Sequence, residues 1–201
     1  MKIYLAIITL ALAFNSHSKD ISVLISQHID WLETADICPS DVMTIQDDSI
    51  AYLEHACDRS VDECFLKCSK GDGESCYNLA FTLQAEEYSS YVKYSEALFL
   101  KACELGSISA CTNRAAGLQK YEGKASLECA IKTYEKACEF DDPWSCTMFG
   151  YQLAVGEGVE KDLNKSLEVF GKSCKYGESD PACTSALKYI GQIEDILEKR
   201  N

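Results

Sequence analysis

The sequence predicts an all-α protein built of stacked helix pairs, and three observations carry that expectation. Cysteines recur in pairs at nearly constant phase: Cys68/Cys76, Cys103/Cys111, Cys138/Cys146 and Cys174/Cys183. First members step by 35, 35 and 36 residues and second members by 35, 35 and 37. A fixed period of this size marks one supersecondary unit repeated, because no such unit buries its apolar face alone. Within each unit the apolar residues follow helical spacing, and β-branched runs and Asn-Gly hairpin signals are missing.

Residues 1–18 read as an export signal. Lys2 precedes the uncharged stretch Ile3–Ala13, which is too short to span a bilayer, and small residues suited to cleavage follow at Ala11/Ala13 or Ser16/Ser18. No membrane insertion is expected once the signal is removed. Residues 19–60 read as a helical N-terminal cap. Ile21, Leu24, Ile25, Ile29 and Leu32 form one helical stripe, and Gln46–Cys57 forms a second helix. The segment Asp41–Glu63 is dense in acid and reads as a solvated face.

The repeats occupy 61–190, with full copies at 71–105, 106–140 and 141–176 and a partial copy from 177. Each opens on a turn: Gly71-Asp72-Gly73, Gly106-Ser107, Asp141-Asp142-Pro143 and Gly177-Glu178. The first helix starts near the second cysteine of a pair. Leu79-Ala80, Arg114-Ala115 and Phe149-Gly150 follow it, and then Leu83, Leu118 and Leu153. That spacing is one helix face, which Arg114 interrupts. The second helix ends at the next first cysteine. Phe99, Tyr134 and Phe170 lie four residues before that cysteine, and Lys101, Lys136 and Lys172 two before; Ala102, Ala137 and Ser173 immediately precede it. After Cys183, the apolar positions Leu187, Ile190, Ile193 and Leu197 describe a terminal capping helix, whose end is 191–201.

Each periodic cysteine pair joins the end of one copy to the start of the next across a short turn. Antiparallel neighbours there lie within disulfide reach, and loop entropy gives roughly 2.5 kcal/mol per bridge. Leu53–Asp58 echoes Tyr134–Glu139, so Cys57 is expected to pair with Cys64. Cys38 and Cys129 fall outside the period. A bridge between them requires the N-terminal segment to fold back over the second copy; a free thiol or an intermolecular bridge is the alternative.

The run Gly156-Glu157-Gly158-Val159-Glu160-Lys161-Asp162-Leu163-Asn164-Lys165-Ser166 resembles the central motif of Sel1-like repeats, and Lys101–Gly106 resembles its flank. Cysteines stand where that repeat usually has alanines. This is similar to the cysteine-rich subgroup typified by the Helicobacter cysteine-rich proteins, secreted chains with one disulfide per repeat. The resemblance implies a right-handed α-solenoid of Sel1-like, tetratricopeptide-like helix pairs. It covers about 61–190 and is weak in the loops 85–93 and 120–126.

Twelve cysteines behind an export signal point to a periplasmic or secreted protein. No Cys-x-x-Cys occurs, and His17, His28 and His55 cluster with nothing, so no metal or cofactor is expected. The net charge of −13 argues against nucleic acid and anionic membranes. Some members of the subgroup are described as penicillin-binding proteins or β-lactamases, which directs attention to Ser-x-x-Lys. Ser16/Lys19, Ser90/Lys93 and Ser185/Lys188 fit that spacing at about the frequency composition gives by chance, and the companion Ser-Asp-Asn and Lys-Thr-Gly elements are absent. No catalytic residue is assigned.

The remaining functional surface is the groove of the stack. By analogy with tetratricopeptide stacks, first helices line its concave face. The candidate contacts are Tyr77, Asn78, Phe81, Gln84, Thr112, Asn113, Arg114, Gln119, Thr147 and Tyr151. A monomer that binds a protein or peptide is the leading expectation. The alternatives are a β-lactamase-type hydrolase and a periplasmic immunity or inhibitor protein.

Overall fold

The computed structural model describes residues 21–33, 36–44, 60–85 and 90–199. The export signal, the expected helix at Gln46–Cys57 and Cys57 itself lie outside them. Among the described residues the chain is all-helical. Helix α1 (Ile21–Ser26), a 3-10 turn (Ile29–Leu32) and α2 (Pro39–Val42) precede four longer helices: α3 (Val61–Ser69), α4 (Gly73–Thr82), α5 (Val92–Glu104) and α6 (Ile108–Gly117). After a π-helical turn (Leu118–Glu122) come α7 (Leu127–Glu139), α8 (Pro143–Val155), α9 (Leu163–Lys172) and α10 (Pro181–Glu198). From α3 to α9 each helix packs on its successor, and α10 packs on both α8 and α9.

The turns form where the sequence places them. Gly71, Gly106, Asp141 and Gly177 all hold positive φ, the conformation that ends one helix and redirects the chain into the next. The following helices begin about one turn earlier than the cysteines suggest, three residues before Cys76, Cys111 and Cys146. Side-chain caps hold the starts of α8 and of α10. Asp142 accepts from the Ser145 amide at 2.7 Å, and Asp180 accepts from the Ala182 amide at 2.9 Å, satisfying amides that have no helical partner.

Disulfides join Cys68–Cys76, Cys103–Cys111, Cys138–Cys146 and Cys174–Cys183, each across one of these turns, with Cα separations of 4.5–4.7 Å. Cys64 is also disulfide-bonded. Disulfides in this number persist in oxidising compartments, extracellular or periplasmic. Between the bridges the core is filled by the recurring aromatics Phe99, Tyr134 and Phe170, all fully buried, and by Leu79, Leu83, Leu118, Phe149 and Leu153.

Small residues set the closest approaches. A Cβ on Gly150 would stand 2.8 Å from the Phe170 ring, which is stacked on Tyr189 with centroids 5.6 Å apart. Gly150→Ala gains about 1 kcal/mol of helix propensity, but overpacking a dense core costs about 1–3 kcal/mol. A net loss of about 1 kcal/mol is expected, read as a lower denaturant midpoint. An unchanged midpoint would mean that the ring moves aside freely.

The N-terminal segment departs from the expected single stripe. Ile29 is 57% exposed, and Trp31 is the buried anchor instead. The 3-10 turn rotates Trp31 onto the rings of Phe65 and Tyr94, with centroids 6.4 and 5.9 Å away. The Lys101 ammonium lies 5.1 Å from the Trp31 centroid. α2 then crosses α5, α6 and α7, held by the Cys38–Cys129 disulfide.

Candidate functional site

One side of α5 and α7 is occupied by this N-terminal strap. The Ser40 amide donates to Thr133 Oγ1 at 3.2 Å, and Lys136 Nζ donates to the Ser40 carbonyl at 2.6 Å. Lys132 Nζ lies 2.8 Å from Asp41, and this hydrogen-bonded ammonium holds the Asp41 carboxyl below its ordinary range. Thr44 Oγ1 donates to the Glu104 carbonyl at 3.0 Å. Candidate binding residues must therefore be sought on the first helices α4, α6 and α8.

Those helices are stitched edge to edge by side chains. Asn113 Nδ2 donates to the Tyr77 hydroxyl at 3.2 Å, joining α6 to α4. Thr112 Oγ1 donates to Asp142 at 2.9 Å and lies 2.6 Å from the Ser145 hydroxyl, joining α6 to α8. Thr147 Oγ1 donates to the Ala182 carbonyl at 3.1 Å, joining α8 to α10.

These bonds correct three of the ten residues expected to meet a partner. Thr112 and Thr147 are buried: their hydroxyls also bond the carbonyls one turn back, of Ile108 and Pro143, so they serve helix contacts. Arg114 is only 2% exposed and forms an ion pair with Glu96 of α5 at 3.2 Å. Glu96 is buried too, and Gln84 Nε2 donates to its other oxygen at 3.4 Å. Gly117 makes room for this carboxylate, since a Cβ there would coincide with it. The interruption in the apolar pattern is thus one half of a buried salt bridge.

The other seven remain accessible. Phe81 is 56% exposed and Gln84 is exposed, while Tyr77, Asn78, Asn113, Gln119 and Tyr151 are half-buried. The Tyr77 ring lies 5.8 Å from Phe99 and 6.4 Å from Phe81, and Tyr151 rests 5.2 Å from the Tyr189 ring. Gln119 Oε1 accepts from the buried Tyr134 hydroxyl at 2.9 Å, and burial pushes that phenol well above the ordinary tyrosine range.

Gln119 and Tyr151 meet in a pocket of about 410 Å³ between the C-terminal end of α6 and the middle of α8. Ala116, Leu127 and Met148 supply apolar wall; Lys120, Gln152 and Glu157 supply polar groups. Glu157 is placed by the turn after α8. Gly156 ends α8 at φ +77°, and Gly158, at φ +72°, lies so close to α7 that a Cβ would stand 2.6 Å from Ile131 and 2.9 Å from Leu127. Only glycine combines that backbone with that approach.

Gln152 was not among the sequence candidates. The available signal was a polar residue one position before the core Leu153, where the other copies carry Thr82 and Gly117.

The Ser-x-x-Lys pairs gain no catalytic setting. Ser185 Oγ donates to the Pro181 carbonyl at 2.9 Å within its own helix, and Ser90 and Lys93 are both exposed. Ser16 and Lys19 lie outside the described residues. Among the described residues no group of three His, Cys, Asp or Glu side chains is arranged to hold a metal, and no helix is long and apolar enough to cross a membrane. No family model, curated protein or solved structure matches the chain.

Proposed function

We propose that this chain is an exported, cysteine-rich Sel1-like repeat protein, a right-handed α-solenoid of helix pairs, that binds a protein or peptide and does not catalyse a reaction. The carrying observation is the asymmetry of its two sides. The strap engages Thr133 and Lys136 of α7, whereas α4, α6, the turns that follow them and α8 keep Tyr77, Phe81, Gln84, Asn113, Gln119 and Tyr151 within reach of solvent. Amides and aromatic rings suit an extended peptide, whose backbone needs hydrogen-bond partners and whose side chains need apolar contact. The paired helices and the disulfides across the four turns support the repeat assignment, and these bridges give eight of the twelve cysteines a structural role.

Site-specific photocrosslinking tests this reading. A photoreactive residue at Phe81 or Asn113 is expected to trap a discrete partner from the native compartment. The same group at exposed Glu135 on α7 serves as the comparison. Equal labelling from both positions, or none from the first, would reject the assignment of the binding face. Turnover of a β-lactam by the oxidised protein, abolished by Ser90→Ala or Ser185→Ala, would reject the non-catalytic reading.

A further inference from the structure

The bridge that holds the strap sits in a different setting from the four that cross the turns. Of the eight turn cysteines, seven are 0–3% exposed, and Cys174 is half-buried. Cys38 and Cys129 are both half-buried. The surroundings of the sulfurs differ as well. Cys111 Sγ lies 3.4 Å from the Ser107 carbonyl and Cys146 Sγ 3.6 Å from the Cys138 carbonyl; a carbonyl oxygen opposes the negative charge of a departing thiolate. Cys38 Sγ also has a carbonyl nearby, that of Cys129 at 3.5 Å, but the Ser40 hydroxyl stands closer, at 3.3 Å, and its proton can turn to the sulfur. The Thr133 hydroxyl is 3.8 Å away, its own proton given to the Cys129 carbonyl at 2.8 Å. Lys136 and Lys132 bring ammoniums to the adjoining Ser40 carbonyl and Asp41 carboxylate. These donors and cations make Cys38 the better leaving thiolate.

The aftermath of reduction differs too. A turn bridge joins helix ends eight or nine residues apart, and the packing of those helices keeps its thiols opposed and ready to re-form the bond. Cys38 instead precedes a helix of only four residues, α2. The side chains of Thr133 and Lys136 hold that segment to α7 through the backbone of Ser40. Beneath α2 lies a turn bridge: the Pro39 carbonyl stands 3.7 Å from Cys103 Sγ, so the strap covers the Cys103–Cys111 bond.

We infer that the Cys38–Cys129 bond is a redox latch: a dithiol of the Cys-x-x-Cys type opens it first, α2 leaves α5 and α7, and the uncovered Cys103–Cys111 bridge becomes the next to open. A thiolate of the dithiol attacks Cys129 Sγ, forming a mixed disulfide and expelling Cys38 as a thiolate, which takes a proton from water. The second thiol of the reductant, deprotonated, then attacks its own mixed-disulfide sulfur and releases Cys129, which is protonated in turn. The protein gains two electrons and two protons, and the dithiol departs as its disulfide. The opened face presents Thr133, Lys132 and Lys136 freed from Ser40 and Asp41.

Stepwise reduction of the oxidised full chain with dithiothreitol, followed by alkylation and peptide mass spectrometry, tests this order. Cys38 and Cys129 are expected to label at least about tenfold faster than any turn cysteine, access and leaving group both favouring them. Cys103 and Cys111 should follow, ahead of Cys68, Cys76, Cys138 and Cys146. In Cys38→Ala/Cys129→Ala, Cys103 and Cys111 should label about tenfold faster than in the unaltered chain, since their local cover is gone, while Cys138 and Cys146 keep their rate. If that variant fails to fold, the partly reduced unaltered chain gives the same comparison. A turn bridge that opens before or together with Cys38–Cys129 would overturn the proposal, as would Cys103 labelling no sooner than Cys138 once the latch is open.

Discussion

Replacing Arg114 by methionine is expected to cost about 3–5 kcal/mol of stability, the usual penalty for stranding one charge of a buried pair. Glu96 is only 6% exposed, and its carboxylate meets Arg114 where α5 faces α6. The penalty should therefore fall on the junction between the first and second copies. Neutralising the stranded partner provides the check. The double variant Glu96→Gln/Arg114→Met should recover most of the loss, since removing both charges is often nearly neutral. Gly117→Ala disturbs the same pair from the opposite side by occupying the space of the carboxylate. Chemical denaturation of these three variants and of Glu96→Gln alone decides the matter: a double variant whose loss equals the sum of the two single losses would show that Glu96 and Arg114 do not act as a pair.

Removing the bridge between Cys38 and Cys129, by alanine at both positions, is expected to be costlier still in proportion to what it touches. Its partners are 91 residues apart, and the entropy of closing so long a loop corresponds to about 4–5 kcal/mol. The periodic bridges close only eight or nine residues each, which gives about 2.5 kcal/mol apiece. Denaturant midpoints of Cys38→Ala/Cys129→Ala and Cys138→Ala/Cys146→Ala should differ accordingly. Hydrogen exchange should report faster opening of α2 and the 3-10 turn in the first variant. Equal losses from both variants would show that loop length does not govern the stabilisation.

The helical class and the ladder were legible because both are short-range. A bridge across a turn needs only a constant phase, and the positions of Phe99, Tyr134 and Phe170 follow from counting back from it. What crosses between distant parts was not. Arg114 has no sequence neighbour to explain it, since Glu96 lies 18 residues away on another helix. Thr112 and Thr147 look like surface residues by composition, yet each hydroxyl bonds its own helix and the next one, so burial leaves no unmet group. The strap was visible only as two cysteines without a periodic partner; whether they met each other depended on a crossing of α5 and α7 that no local pattern encodes. The pocket was partly legible, through Gln119 and Tyr151. Gln152 escaped notice because a polar residue beside the core Leu153 carries no local sign that packing buries it.

The Cys38–Cys129 bond also fixes how the molecule carries mechanical load. Pulled from its two ends, the chain transmits tension through this covalent shortcut, and the residues between the two sulfurs form a slack branch that bears almost none of it. At about 3.4 Å of extension per residue, roughly 300 Å of contour is withheld from stretching. The helices that hold Tyr77, Phe81 and Asn113 lie inside that shielded branch, while α8, α9 and α10 lie in the loaded path. A tug on the C-terminus would thus unravel the molecule from its far end and leave the first copy and α6 folded.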